Sequence, residues 1–194
     1  MSKTSNPDYL ILINEKNRLP ENFEQTVELI EVENSFGEKY LIEKKTYEAY
    51  MRLREDLITN DGIHTELISV YRTIEYQEKN YERYLNQYGP EFAKNYVAIP
   101  GHSEHHTGMA IDVGIVIDGK LYREIPKLLE LDPIFATIQA RFPKYGFILR
   151  YPKGKEDLTG IAYESWHFRY LDSPELACEI TEKGICFEEY WEQR

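Results

Sequence analysis

The chain is poor in histidine, tryptophan and cysteine, with 5, 2 and 2 among 194 residues. Two cysteines, Cys178 and Cys186, are too few for a disulfide framework and fit a reducing compartment, with a single Cys178–Cys186 bridge as the one covalent option. Cations are also short. The 23 Lys and Arg face 34 Asp and Glu, leaving a formal net charge of −11. A nucleic-acid partner needs a surplus of basic side chains on one face, so this deficit argues against one. Long apolar runs are missing as well. Leu10–Ile13 and the mixed stretch Met109–Ile117 fall far below the roughly 20 residues that cross a bilayer, so no membrane insertion is expected. The N-terminus has one early Lys, then Asp8, and no small-residue cleavage site. It reads as mature protein, and the expected location is cytoplasmic, although a trimmed cell-surface protein would look the same.

What is present suffices for a core: 42% of residues are hydrophobic, with 16 Tyr and 8 Phe. One compact domain over residues 1–194 is expected. Helical spacing runs from Thr46, a candidate N-cap, through Tyr47, Tyr50, Met51, Leu57 and Ile58 to the stop at Asn60-Asp-Gly62. Glu66–Tyr71 is rich in β-formers, and a second helix opens at Thr73 and stops at Gly89-Pro90, which puts Arg72 at a strand-to-helix junction. Met109–Ile117 reads as a strand closed by Asp118-Gly119. Asp132-Pro133 opens a helix that stops at Pro143, with Asp132 as its expected N-cap. Gly146–Tyr151 and Ala162–Leu171 read as strands, and Ser173-Pro-Glu opens a last helix ending at Gly184. Helices and strands mix without a βαβ rhythm. That points to an α+β fold with a central, largely antiparallel sheet flanked by helices.

The scarce histidine is not spread evenly. His102, His105 and His106 fall within Gly101–Gly114, and His167 lies in Tyr163-Glu-Ser-Trp-His-Phe-Arg-Tyr170. A zinc hydrolase needs three protein ligands and one open coordination position, and His with a carboxylate supplies such a set. His105 and Asp112 are seven residues apart, so on a straight strand they would point to opposite faces. They can converge if the chain bends at Gly108. A helix through the three histidines is disfavoured by Pro100-Gly101 before them and Gly108 after them. The plainer alternative is a solvated polar loop.

In the second stretch Glu164 and His167 lie three apart in an aromatic run whose centre should be buried, where each needs a partner. A metal would satisfy His167, and Glu164 beside it could act as general base. A buried Glu164–Arg169 or histidine–carboxylate pair is the competing explanation. Arg72 could stabilise the charge that builds on an amide oxygen during hydrolysis.

Taken together, Ser103-x-His105-x-x-Gly108-x-Ala110-x-Asp112 and, about fifty residues on, Glu164-x-x-His167 with Trp166 before the histidine resemble the zinc D-alanyl-D-alanine peptidases, the family of the vancomycin-resistance VanX, VanY and VanXY enzymes. Leu12–Pro20, Val70-Tyr-Arg-Thr73 with Gln77, Pro100–His105, Gly146–Tyr151 and Thr159–Tyr170 are similar to the VanY and VanXY branch, so the resemblance covers almost the whole chain. His106-Thr107 and Ser165 depart from the commonest pattern without replacing a ligand or the base. The resemblance implies Zn²⁺ on His105, Asp112 and His167, a catalytic base at Glu164 and a transition-state arginine at Arg72. It implies substrate contacts at Gln77 and Ser103, with Trp166 and Tyr71 beside them, and a fold shared with the Hedgehog signalling domain.

The implied activity is a zinc-dependent D,D-carboxypeptidase that removes the terminal D-Ala from cell-wall pentapeptide precursors, with D-Ala-D-Ala dipeptide as a further substrate, in glycopeptide resistance. Ser69, neutral and just before Val70-Tyr-Arg72, leans the expectation toward carboxypeptidase over dipeptidase. An L,D-carboxypeptidase acting on tetrapeptide stems, and a zinc-holding module without turnover, are the other readings.

Overall fold

The structure is a computed structural model that describes residues 7–194, so the reading of the N-terminus falls largely outside the described residues. In chain order the elements are β1 (Leu29–Glu33), β2 (Lys39–Glu43), α1 (Lys44–Asp61), β3 (His64–Ser69), α2 (Ile74–Tyr88) and α3 (Pro90–Tyr96). There follow β4 (Ala110–Ile117), β5 (Lys120–Tyr122), α4 (Ile125–Glu130), α5 (Asp132–Arg141), β6 (Phe147–Leu149), α6 (Glu156–Thr159), β7 (His167–Tyr170), α7 (Pro174–Lys183) and α8 (Phe187–Glu192). The expected α+β class is what forms. The main sheet runs β3-β4-β7-β6 with β5 on β4, and every pairing in it is antiparallel.

Local chemistry accounts for the elements that carry the site. In α1 the buried residues Thr46, Ala49, Tyr50, Leu53 and Leu57 recur at helical spacing and give one apolar face for the core. Its N-cap is Glu43 rather than Thr46: the Glu43 carboxylate accepts from the backbone N–H groups of Lys45 and Thr46, and charge at a helix N-terminus is favourable. Gly62, at φ 64°, ends the helix in the left-handed conformation that glycine adopts without strain. Helix α2 is capped by Thr73, whose side chain accepts from Tyr76 N–H.

Four further expectations need correction. The cap residue of α5 is Leu131, with Asp132 as the first residue of the helix. A further helix, α8, follows the one expected to be last. A short 3₁₀ turn forms over Glu104–Thr107, although the flanking Pro and Gly disfavour a helix there; Ser103 Oγ accepts from His105 N–H at its start and Gly108, at φ 71°, closes it.

The strand expected over Ala162–Leu171 forms only at His167–Tyr170. In the antiparallel register His167 pairs with Asp112, so Glu164 would have to pair with Ile115, a position already taken by Tyr122 of β5. The segment before His167 therefore leaves the sheet. Ala162 N–H donates to Asn95 of α3, and Glu164 N–H to Tyr151.

Candidate active site

Three strand positions and one turn build the site. Asp112 on β4 faces His167 across the β4–β7 ladder and Ser69 across the β3–β4 ladder. His105 comes from the 3₁₀ turn, and Gly108 bends the chain so that residues seven apart meet. A Cβ on Gly108 would stand 2.7 Å from Leu29 Cδ2 and 3.1 Å from Glu43 N, so both its conformation and its surroundings call for glycine.

The donor atoms of His105, Asp112 and His167 lie within 4.8 Å of one another. Asp112 Oδ1 is 2.8 Å from His167 Nδ1, and Asp112 Oδ2 is 3.2 Å from His105 Nε2. His105 Nδ1 is 2.6 Å from the Val70 carbonyl and donates to it, which leaves the Nε2 lone pair for the site. That buried Nε2 has no hydrogen-bond partner among the described residues.

The charges fit a cation. Burial, with Arg72 nearby, lowers the His105 pKa to about 4, so this imidazole is neutral and ready to ligate. Burial alone would also lower His167, but Asp112 outweighs it and raises that pKa to about 9. Burial opposes ionisation of Asp112 too, yet the two histidines hold its carboxyl well below the usual range. Two imidazoles and a carboxylate that together attract positive charge are a suitable zinc set, with room for a fourth ligand on the cleft side.

Glu164, 6% exposed, sits in the turn before β7 with Oε2 3.7 Å from His167 Nδ1. Burial, helped by Asp112, raises its pKa to about 8, near the operating range of a general base at neutral pH. Its expected rival partner, Arg169, bonds instead to Glu104.

These groups open on a cleft of about 680 Å³ that also reaches Arg72, Tyr71, Ser103, Trp166, Tyr151, Ser69 and the exposed face of α2. Arg72 Nη1 donates to Gln77 Oε1 at 2.9 Å, while its buried Nε lacks a partner among the described residues. Gln77 is fully buried and does not line the cleft: it also donates to the Ala98 carbonyl at 2.7 Å and so fixes Arg72. Trp166 and Ser103 line the cleft while largely buried; Tyr71 lines it and its hydroxyl donates to Glu24.

His106 is not a competing ligand. Its Nδ1 donates to the Arg72 carbonyl at 2.6 Å and its Nε2 accepts from Gly101 N–H at 3.1 Å, so both ring nitrogens are used to hold the loop that carries Arg72. His102 lies aside, 2.8 Å from the Asn14 carbonyl. Cys178 and Cys186 are free thiols.

Sequence reasoning missed Glu104, Arg150 and Glu188, and misassigned Arg169. The signal was there: Arg150 and Arg169 each interrupt an apolar strand-like run, and a charge in such a run needs a partner.

Comparison with known proteins agrees with this geometry. Residues 39–173 match the family model described as VanY, D-alanyl-D-alanine carboxypeptidase. The bifunctional D-Ala-D-Ala dipeptidase and D-Ala-D-Ala carboxypeptidase VanXYC of Enterococcus gallinarum is 38% identical over 138 residues, covering 70% of this chain and 72% of the relative. A mutant of the vancomycin resistance D,D-pentapeptidase VanY from a VanB-type cassette, solved in complex with Zn(II), is 31% identical with a TM-score of 0.78, over 94% of this chain and 98% of that one. The LD-carboxypeptidase LdcB is 34% identical at the same TM-score of 0.78, over 95% and 86% of the two chains.

Proposed function

This chain belongs to the VanY D-alanyl-D-alanine carboxypeptidase family, and on that premise we propose that it is a zinc-dependent D,D-carboxypeptidase which removes the terminal D-Ala from peptides ending in D-Ala-D-Ala. One observation carries the reading: His105, Asp112 and His167 converge within 4.8 Å, with Glu164 against them and Arg72 in the same cleft.

His105 Nε2, an Asp112 oxygen and His167 Nδ1 would hold the zinc. When bound, zinc supplies Lewis acidity, making a water easier to deprotonate and a carbonyl easier to attack. Glu164 takes the proton of the attacking water and returns it to the departing amine of D-alanine. Arg72 uses Nε–H, a buried donor without a partner among the described residues, for the carbonyl oxygen as it gains negative charge, and Gln77 keeps the guanidinium from turning away. The buried positions of His105, His167 and Glu164 limit water around these charges.

The cleft is in the size range that takes ligands larger than a dipeptide, and Ser69 at its wall is neutral. Both support carboxypeptidase action on a peptide stem, with D-Ala-D-Ala dipeptide as a second substrate. Removing the terminal D-Ala depletes precursors ending in D-Ala-D-Ala, the setting in which the VanY relative is named for vancomycin resistance. A cytoplasmic location belongs to the same proposal and is supported by the two free thiols.

The likeness to LdcB favours one other reading, an L,D-carboxypeptidase acting on stems that end in a single D-Ala. The experiment is D-alanine release, with and without a chelator, from D-Ala-D-Ala, from a pentapeptide stem ending in D-Ala-D-Ala and from a tetrapeptide stem. Chelator-sensitive release from the pentapeptide is expected. Release from the tetrapeptide alone would move the enzyme to L,D-specificity, and none from any substrate would overturn the peptidase reading.

A further inference from the structure

Four charged side chains lie behind the metal-binding trio and take no part in the steps above: Glu104, Arg150, Arg169 and Glu188. Arg150 and Arg169 are 0% exposed and Glu104 1%. Burying such charges carries a desolvation cost of several kcal/mol per ion, which exact pairing must offset. The pairing is nearly complete. Arg150 Nε and Arg169 Nη1 donate to the same oxygen, Glu104 Oε1, at 2.8 and 2.9 Å. The other Arg150 nitrogens donate to the Glu188 carboxylate of α8 at 2.8 and 2.6 Å. Arg169 Nη2 donates to the carbonyls of Tyr9 and Ile11, and its Nε to that of Tyr170.

Two buried atoms in this region are left over. Glu104 Oε2 and His167 Nε2 each lack a hydrogen-bond partner among the described residues, and they lie 3.9 Å apart. A carboxylate oxygen and an imidazole nitrogen pair as soon as that nitrogen carries the proton and the ring moves by less than an ångström.

We infer that Glu104 is the positioning residue for the metal ligand His167: its Oε2 accepts the Nε2–H and so leaves the Nδ1 lone pair on the Asp112 side for zinc. The inference rests on the zinc-peptidase reading. A neutral imidazole offers one lone pair, and the acceptor on its other nitrogen selects which. His105 is handled in the mirror sense, with Nδ1–H held by the Val70 carbonyl and Nε2 offered. The two ligands thus present opposite ring nitrogens, each fixed by its own acceptor. The acceptor behind His167 is a carboxylate, held by two arginines, one of which is gripped by α8.

The test uses the full chain and zinc itself. In Glu104→Gln the amide oxygen can keep both arginine bonds, and the amide nitrogen then turns on His167 Nε2. Donor faces donor unless the imidazole proton moves to Nδ1, the metal side. Zinc affinity by competition with a chromophoric chelator should fall about 10–100-fold, in protein that circular dichroism shows to be folded. Glu188→Gln loosens the same arginine yet keeps Glu104 Oε2, and should hold zinc much closer to the wild-type level. A long-range proton–nitrogen NMR spectrum of wild-type zinc protein should show His167 protonated at Nε2 and metal-bound at Nδ1. Unchanged affinity in Glu104→Gln, equal losses in both variants, or the opposite His167 tautomer would overturn the inference; the NMR arm decides it even if the variants do not fold. Failure of the wild-type protein to take up zinc would instead overturn the zinc reading, before any variant is made.

Discussion

Asp112 and His167 are direct cross-strand partners on β4 and β7, and their side chains meet with Asp112 Oδ1 2.8 Å from His167 Nδ1. Directly opposed residues in an antiparallel pair have neighbouring Cβ atoms, so the register of the sheet by itself brings two of the three candidate metal ligands together. The third, His105, depends on a bend.

Gly108→Ala should damage both stability and metal binding. Forcing a non-glycine residue into this left-handed conformation costs about 1–3 kcal/mol, and the new methyl would meet Leu29 Cδ2 at 2.7 Å. Denaturant unfolding with and without zinc should show a lower midpoint and a smaller zinc-dependent gain. Wild-type behaviour in both would mean that the bend does not set the ligand geometry.

Glu164→Gln should keep zinc and lose turnover. The amide cannot accept the water's proton, and general-base catalysis is worth about 10²–10⁴-fold. Metal analysis alongside D-alanine release separates the effects: an active, zinc-loaded variant would remove Glu164 from its role.

Arg72→Ala should lower kcat/KM by about 10²–10³-fold, the usual effect of deleting an oxyanion donor. Gln77→Ala should act in the same direction but more weakly, because Arg72 stays in place and loses only the 2.9 Å bond that aims it. Zinc content should not change in either variant. A larger loss for Gln77→Ala than for Arg72→Ala would contradict the assignment of Gln77 as the support of Arg72.

His106 and His105, adjacent in sequence, should separate cleanly. His105→Gln should lose most zinc. His106→Gln should retain it, since both His106 nitrogens are bound to the backbone at Arg72 and Gly101. Equal zinc loss from the two would place His106 in the metal shell.

Zinc uptake should release protons near neutral pH. The His167 pKa stands above its ordinary value, at about 9, so at pH 7 the apoprotein holds that proton and zinc must expel it; the apparent affinity should therefore climb with pH up to about 9. Glu164, raised to about 8, should give up part of a second proton beside the new positive charge. His105, lowered to about 4, is already neutral and should contribute none. Calorimetry in buffers of different ionisation enthalpy measures the count. A pH-independent affinity between 6 and 9 would refute the scheme.

The elements that position the site were legible where local signals were strong: α2 opening after Thr73, Gly62 ending α1, and Asp118-Gly119 closing β4. The bend at Gly108 was legible too, because a period-two strand cannot bring residues seven apart to one face. The late start of β7 was not, since the limit is set by β5 occupying the edge of β4, a competition between segments about forty residues apart. The 3₁₀ turn at Glu104–Thr107 was also hidden: flanking Pro and Gly argued against a helix, while a single turn needs no more than the bond from His105 N–H to Ser103 and the Gly108 closure.

By itself the sequence held the residue types and the spacing, His105, Asp112, Glu164 and His167, on which the resemblance to the zinc D-alanyl-D-alanine peptidases rests. Only the tertiary structure decided how the remaining nitrogens and charges are used. His106 binds backbone, Gln77 supports Arg72 from below the cleft, and Arg169 turns to Glu104 instead of Glu164. Those choices depend on which polar atom a buried donor meets first across distant strands and helices. Desolvation makes each such pairing obligatory, and linear order carries no record of its partner.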